Sequence, residues 1–143
     1  MRINDVLRSK PSQEVVTISP DATIRELIAA LAEHNVGALI VSSDGSTVDG
    51  IVSERDVVRK LHEDEGVLAD LVLTIMTSEV QTCEGSEEVD HLMKLMTDHR
   101  VRHVPVVADG RLTGIISIGD VVKNRIGELE FERDQLDHYL HQT

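Results

Sequence analysis

The sequence has almost no aromatic residues: its 143 residues include one Phe, one Tyr and no Trp. Phe131 and Tyr139 both lie beyond residue 130, so the body of the chain folds without a Phe, Tyr or Trp ring. Stacking of bases on such rings, which is common in proteins that bind single-stranded nucleic acid, is therefore excluded there. We expect any ligand ring held by the body of the chain to rest between aliphatic side chains and to be recognised largely by backbone groups.

Cysteine is also scarce, because Cys83 is the only one. One cysteine excludes an intrachain disulfide and a Cys-rich zinc site. Cys83 lies in an apolar stretch, and we expect a small buried hydrophobic residue rather than a redox thiol. The closely spaced histidines at 99 and 103 and at 138 and 141 do not supply the three or four ligands that zinc needs, so we expect no metal site.

Basic residues are in the minority: 14 Lys and Arg stand against 26 Asp and Glu, a formal net charge of −12. This balance argues against nucleic-acid binding and against attachment to an anionic membrane, since both need a basic surface. No apolar run approaches the length of a membrane span. The first ten residues lack the apolar core of a signal peptide, and we expect a cytoplasmic protein.

The most informative feature that is present is an internal duplication. A shift of 65 residues pairs identical residues at several positions from Thr17 to Val41, and a shift of 64 does so from Gly50 to Val58. The coinciding pairs include Thr17 and Thr82, Leu27 and Leu92, His34 and His99, Val36 and Val101, Gly50 and Gly114, Ser53 and Ser117, and Asp56 and Asp120.

Each copy contains the same order of predicted elements. A short apolar stretch (15–18 and 80–83) precedes a helix with apolar residues at helical spacing. Two β-rich runs follow (38–41 and 50–52; 103–107 and 113–116), and the second pair is joined by Asp109-Gly110, a strong hairpin signal. A helix from Asp56 or Asp120 onward closes each copy. The sequence thus predicts an α+β fold of two tandem β-α-β-β-α units.

Each unit of about 60 residues is too small to be stable alone, so we expect the two units to pack sheet to sheet as a pseudo-twofold pair. We place the first unit, with an N-terminal segment, at 1–70, the second at 71–125 and a C-terminal helix at 126–143. Residues 62–69 are acidic and indicate a linker. The C-terminal helix has loosely spaced apolar positions, which favour a surface or dimer-contact helix over a hook for another protein.

The pattern Gly-x-x-Ser-x-x-Asp occurs at 50–56 and again at 114–120, in each case between an apolar strand and a helix. The simplest interpretation is a helix capping box. A helix N-terminus also attracts anions, a Ser hydroxyl can bond a phosphate, and a carboxylate can accept two hydrogen bonds from a ribose diol. Because the pattern occurs twice, at matching positions of the duplication, it supports the nucleotide interpretation more strongly than a single copy would.

The sequence resembles a tandem cystathionine-β-synthase (CBS) domain pair, or Bateman module, of the small stand-alone bacterial type. The resemblance rests on these two motifs and on the stretches VVTISPDATIRELIAALAEHNVGALIV and MTDHRVRHVPVV. The resemblance extends from about residue 15 to residue 122. It implies a module that dimerises and binds adenosine-containing molecules such as AMP, ADP, ATP, NAD or S-adenosylmethionine between its two units. It also implies that the Asp of the motif holds the ribose and the Ser meets the phosphate.

The two copies differ at positions that bear on binding. Residues 99–125 carry five basic residues against two acidic ones, which suits a small phosphate despite the net charge. Since the first copy has Arg55 where the second has Gly119, we expect two clefts that are not equivalent. The candidate ligand-binding residues are Thr17, Ser53, Arg55, Asp56, Thr82, Arg100, Arg102, His103, Ser117 and Asp120.

Catalysis is not expected, because no histidine is tied by sequence to Ser53 or Ser117 and Asp activates Ser poorly without one. The expected function is a nucleotide-responsive regulatory module, without a catalytic cofactor, that signals to an unknown effector protein and forms a homodimer. The alternative is a module for protein–protein interaction or dimerisation that acts without a ligand.

Overall fold

Both halves of the computed structural model, which describes residues 1–12 and 14–141, repeat one order of elements. Helix α1 (Ile3–Arg8) precedes the first copy. The first copy contains β1 (Thr17–Ile18), α2 (Ile24–His34), β2 (Ala38–Val41), β3 (Gly50–Ser53) and α3 (Glu54–Glu63). The second contains β4 (Cys83–Glu84), α4 (Val89–His99), β5 (His103–Ala108), β6 (Arg111–Ser117) and α5 (Ile118–His141). The predicted α+β fold of two packed β-α-β-β-α units is confirmed.

Each copy forms a three-stranded sheet with its second β-strand in the centre. β1 is parallel to β2 and β3 is antiparallel to it, and β4, β5 and β6 repeat this arrangement. Ala38 lies opposite Ser53 and His103 lies opposite Ser117, so the motif serines occupy equivalent registers. The predicted Asp109-Gly110 turn has positive φ at both residues (52° and 75°), as a type I′ hairpin turn requires.

The helices α2 and α4 end in the same way. Asn35 and Arg100, which follow them, both adopt the left-handed conformation, with φ of 51° and 54°. This conformation reverses the chain after the helix and brings the next residues back toward the central strand. The carbonyls of Gly37 and Arg102 then accept the first backbone N–H groups of α3 and α5, at 2.9 and 2.8 Å. Each helix-to-strand loop is thereby tied to the strand-to-helix junction that carries the motif.

The segment before each copy completes the hydrophobic core of the other copy. Ile3 and Val6 of α1 are fully buried in the core of the second copy. Val67 and Val72, which precede the second copy, are buried in the core of the first. The stretch predicted as a linker, residues 62–69, is folded: it contains the end of α3 and the 3₁₀ helix Glu65–Ala69. A second 3₁₀ helix, Val72–Thr74, follows it.

The C-terminal helix is continuous with the closing helix of the second copy, since α5 runs unbroken from Ile118 to His141. Most of its length is exposed, and of its residues only Val121 is buried. The boundaries proposed at residues 70 and 125 stay predictions, and Gln142 and Thr143 of the proposed C-terminal helix lie outside the described residues.

Candidate ligand clefts

The two Gly-x-x-Ser-x-x-Asp motifs form the same local structure at the starts of α3 and α5. The backbone N–H of Ser53 donates to Asp56 Oδ2 at 2.8 Å, and the Asp56 N–H donates to Ser53 Oγ at 3.4 Å. In the second copy the corresponding distances for Ser117 and Asp120 are 3.0 and 3.1 Å. Both motifs are thus capping boxes, and the boxes fix each carboxylate beside a helix N-terminus. The fixed carboxylates face two cavities between the copies.

One cavity, the Asp56 cleft, has a volume of about 290 Å³. It combines the strand-to-helix junction of the first copy with the helix-to-strand loop of the second. Three arginines surround it, and Ile51 and Val101 provide aliphatic wall. Its lining residues are Gly37, Ala38, Ile51, Ser53, Glu54, Arg55, Asp56, Thr77, Arg100, Val101, Arg102 and His103.

The other cavity, the Asp120 cleft, is larger, at about 660 Å³. It combines the junction of the second copy with the helix-to-strand loop of the first and with the segment that follows α1. Its described lining residues are Lys10, Pro11, Ser12, Glu14, Val16, His34, Asn35, Val36, Gly37, Ala38, Leu39, His103, Ile115, Ser117 and Asp120.

The predicted site residues are distributed unevenly between the clefts. The Asp56 cleft contains six of them: Ser53, Arg55, Asp56, Arg100, Arg102 and His103. The Asp120 cleft contains Ser117 and Asp120, and His103 again, because His103 lies on the wall between the two. Thr17 and Thr82 line neither cavity: Thr17 pairs with Ile40 in the sheet and Thr82 is exposed just before β4. That any of these residues contacts a ligand stays a prediction.

The three arginines line the same cleft because each cleft combines the motif of one copy with the helix-to-strand loop of the other. Arg55 belongs to the first copy, whereas Arg100 and Arg102 belong to the loop of the second copy that reaches the same cavity. In the Asp120 cleft the residues equivalent to Arg100 and Arg102 are Asn35 and Gly37. The two cavities therefore differ both in volume and in the number of cationic side chains on their walls.

The Asp120 cleft contains a cation that the sequence analysis missed. The Lys10 ammonium lies 3.1 Å from Asp120 Oδ2 and donates to the Ile115 carbonyl at 2.9 Å. Burial alone would raise the pKa of Asp120, but the Ser117 N–H and the Lys10 ammonium outweigh it and hold that pKa below its usual range. Lys10 gave no signal in the duplication, since the residue 65 positions later is Ile75.

His103 is influenced by charges from both clefts. Burial lowers the pKa of its imidazole below the usual value, because the charged form is poorly solvated there. Asp120 and Glu54 oppose this effect, while Lys10 and Arg102 add to it. The net lowering means that His103 is mainly neutral at pH 7 and can both donate and accept a hydrogen bond.

Other chemistry has little support among the described residues. Cys83 is buried as expected, and burial together with nearby Glu87 raises the pKa of its thiol to about 12, so it is not a reactive thiolate. No group of three or more His, Cys, Asp or Glu side chains within 1–12 and 14–141 is placed to hold a metal ion. None of the helices described has the length and apolarity needed to cross a membrane.

Comparison with known proteins places these features in one family. The CBS domain model matches twice, at residues 3–63 and 69–127. The chain is 35% identical over 146 aligned positions to the mitochondrial CBS domain-containing protein CBSX3 of Arabidopsis thaliana, covering 96% of this chain and 71% of that protein.

Solved structures show the same relationship. The CBS-domain containing protein ATU1752 from Agrobacterium tumefaciens superimposes with a TM-score of 0.82 at 43% identity, covering 87% of this chain and 99% of that one. The CBS domain pair of protein MJ0100, in complex with 5-methylthioadenosine and S-adenosyl-L-methionine, superimposes with a TM-score of 0.77 at 27% identity, covering 86% and 98%. With two copies of the domain, a crossed pair of clefts and relatives of the same architecture, the chain belongs to the CBS-domain family.

Proposed function

We propose that the protein is a regulatory module that binds adenosine nucleotides such as AMP, ADP, ATP or NAD in the two clefts and passes their occupancy to an effector protein in the cytoplasm. The observation that carries this proposal is the pairing of a fixed Ser–Asp junction with a cavity, twice in one chain. The related MJ0100 pair, whose structure contains two adenosine compounds, supports the ligand class.

Each cleft offers the groups that an adenosine nucleotide needs. The carboxylates of Asp56 and Asp120 can accept hydrogen bonds from the two ribose hydroxyls. Arginine forks match the geometry of phosphate, and the Asp56 cleft presents Arg55, Arg100 and Arg102. The apolar walls consist of aliphatic side chains, which can hold the flat faces of an adenine without an aromatic partner.

Thermal unfolding in the presence of AMP, ADP, ATP, NAD and S-adenosylmethionine tests the proposal. A ligand that binds only the folded protein at a hundredfold excess over its Kd stabilises it by about 2.7 kcal/mol. At least one compound is therefore expected to raise the Tm by several degrees. If none of them changes the Tm, the nucleotide proposal is wrong.

Two variants assign the binding to the clefts. Asp56→Ala and Asp120→Ala are each expected to remove binding at one cleft while the circular dichroism spectrum stays that of the wild type. Glu26→Ala is the matched control, because Glu26 completes the capping box of α2 with Thr23 and lines neither cavity. If all three variants bind nucleotide as the wild type does, the Ser–Asp junctions are not the binding sites.

The second candidate is a dimerisation module that acts without a ligand, and a feature of α5 favours it. Val122, Leu129 and Leu136 recur every seven residues and are 49%, 55% and 59% exposed. Such a spacing places them on one face of the helix, where a second copy of the chain can cover them. Light scattering of the ligand-free protein, combined with the thermal unfolding described above, separates the two candidates. A dimer is expected for both, and a stable dimer with no nucleotide-dependent Tm shift supports the second.

A further inference from the structure

The two clefts differ in what already contacts the motif carboxylate. In the Asp120 cleft, the Lys10 ammonium bonds Asp120 Oδ2 and the Ile115 carbonyl, and all three residues line the cavity. The side chains of Lys10 and Asp120 are about one quarter exposed, at 26% and 24%. The residue 65 positions after Lys10 is Ile75, which has no side-chain donor and does not line the Asp56 cleft. In the Asp120 cleft, a lysine ammonium of the chain thus already occupies the motif carboxylate.

Lys10 is attached to a fixed point of the backbone. It follows α1, whose Ile3 and Val6 are fully buried in the second copy. The hydroxyl of Ser9 donates to the Val6 carbonyl at 2.7 Å, which holds the end of that helix. The four-carbon stem of Lys10 is the flexible part, so its ammonium can change partner without movement of the backbone.

A ribose diol and the Lys10 ammonium need the same carboxylate. If an uncharged nucleoside takes the Asp120 carboxylate, the ion pair between Lys10 and Asp120 is broken inside a partly buried cavity, and breaking it is unfavourable. A ligand phosphate supplies a replacement anion in the same cavity. Displacing Lys10 from Asp120 therefore costs little free energy when the ligand is a nucleotide and much more when it is a nucleoside.

We propose that Lys10 moves from Asp120 to the ligand phosphate and thereby makes the Asp120 cleft selective for phosphorylated adenosine compounds over the nucleoside. The inference rests on the proposed nucleotide-binding function and adds a specificity-determining residue to it. Both carboxylates are bonded within their capping boxes, but the cations that line the Asp56 cleft are arginines, whereas Asp120 also pairs with a lysine.

Isothermal titration of AMP and of adenosine tests the proposal. The Asp56→Ala background isolates the Asp120 cleft, with Asp56→Asn as a second background should the first not fold. In that background AMP is expected to bind at least tenfold more tightly than adenosine. Adding Lys10→Met, which keeps the length of the stem, is expected to weaken AMP about tenfold and to leave adenosine unchanged or tighter, so that the selectivity disappears.

Lys60→Met in the same background is the matched control. Lys60 pairs with Glu63 on α3 and lines neither cleft, so the ratio of the AMP and adenosine affinities is expected to stay at its background value. If Lys10→Met tightens both ligands equally, Lys10 is only a competitor for Asp120 and the exchange is wrong. An unchanged ratio also overturns it.

The outcome for the wild type separates this inference from the proposed function. If the wild type binds AMP but the Asp56→Ala protein binds neither AMP nor adenosine, the Asp120 cleft is not a nucleotide site. The Lys10 inference then fails, while nucleotide binding by the Asp56 cleft stands. If the wild type binds no adenosine compound, the proposed function fails together with it.

Discussion

The burial of α1 in the second copy can be tested by replacing Ile3 with Ala. Ile3 has no exposed surface and packs in the core that also contains Val6, Leu92 and Ile116. An Ile-to-Ala change in such a site costs about 2–5 kcal/mol, because apolar burial is lost and a cavity remains. We expect a loss of about 3 kcal/mol in the free energy of unfolding, which corresponds to a fall in Tm of about 10 °C for a chain of this length.

Urea unfolding followed by circular dichroism measures this loss. Ile28→Ala is the matched control, since Ile28 lies on α2 with 37% of its surface exposed, and about 1 kcal/mol or less is expected there. Amide hydrogen exchange shows which part of the protein is destabilised by the substitution. Because Ile3 packs against the second copy, protection is expected to fall mainly in β5, β6 and α4 and not in the sheet of the first copy.

A stability within about 1 kcal/mol of the wild type would show that α1 contributes little to the core, whatever its burial. Equal loss of protection in both sheets would also contradict the reasoning. It would mean that the two cores unfold together and that the packing of α1 against the second copy does not stabilise that copy in particular.

Three further predictions concern single residues. Cys83 is expected to resist iodoacetamide at pH 8 in the folded protein and to react in urea, as followed by mass spectrometry, because its pKa is raised to about 12. The imidazole of His103 is expected to titrate below pH 6.5 when followed by NMR, because its pKa is lowered. The unfolded state then binds more protons than the folded state, so the free energy of unfolding should fall as the pH drops below 6.5. This fall should be smaller in His103→Ala. Gly50→Ala is expected to cost about 1–3 kcal/mol in urea unfolding, since its Cβ would lie 2.8 Å from the Thr77 carbonyl, a contact that backbone cannot easily relieve, whereas the exposed Gly127→Ala should not destabilise the protein.

Much of the fold could be predicted because its signals are local or repeated. The helical spacing of apolar residues identified α2 and α4, and the Asp109-Gly110 dipeptide identified the hairpin, whose positive φ angles few other residues adopt. The first strands were predicted as longer than Thr17–Ile18 and Cys83–Glu84, since apolar character continues where pairing does not. Helix α1 was missed, because its burial depends on a partner surface far away in the chain.

The architecture of the candidate site was most predictable where its residues lie within one motif. Each Ser–Asp pair lies within one motif, so the spacing alone specified a capping box beside a strand. Lys10 meets Asp120 across 110 positions of the chain, and no local pattern marks that contact. Thr17 and Thr82 were chosen from the family resemblance, which implies that the polar residue at the start of each copy's first strand lines the cleft. The cavities are instead lined by Val16 and Thr77, which precede them.

The crossing of the copies explains why the sequence did not assign side chains to clefts. Each cavity takes its Ser and Asp from one copy and its helix-to-strand loop from the other. A difference between the copies in that loop therefore alters the cleft whose motif lies in the opposite copy. Arg100 and Arg102 follow α4 of the second copy, yet they add positive charge beside Asp56 of the first. Divergence after a duplication thus makes the two clefts unequal even while both motifs keep the same Ser and Asp.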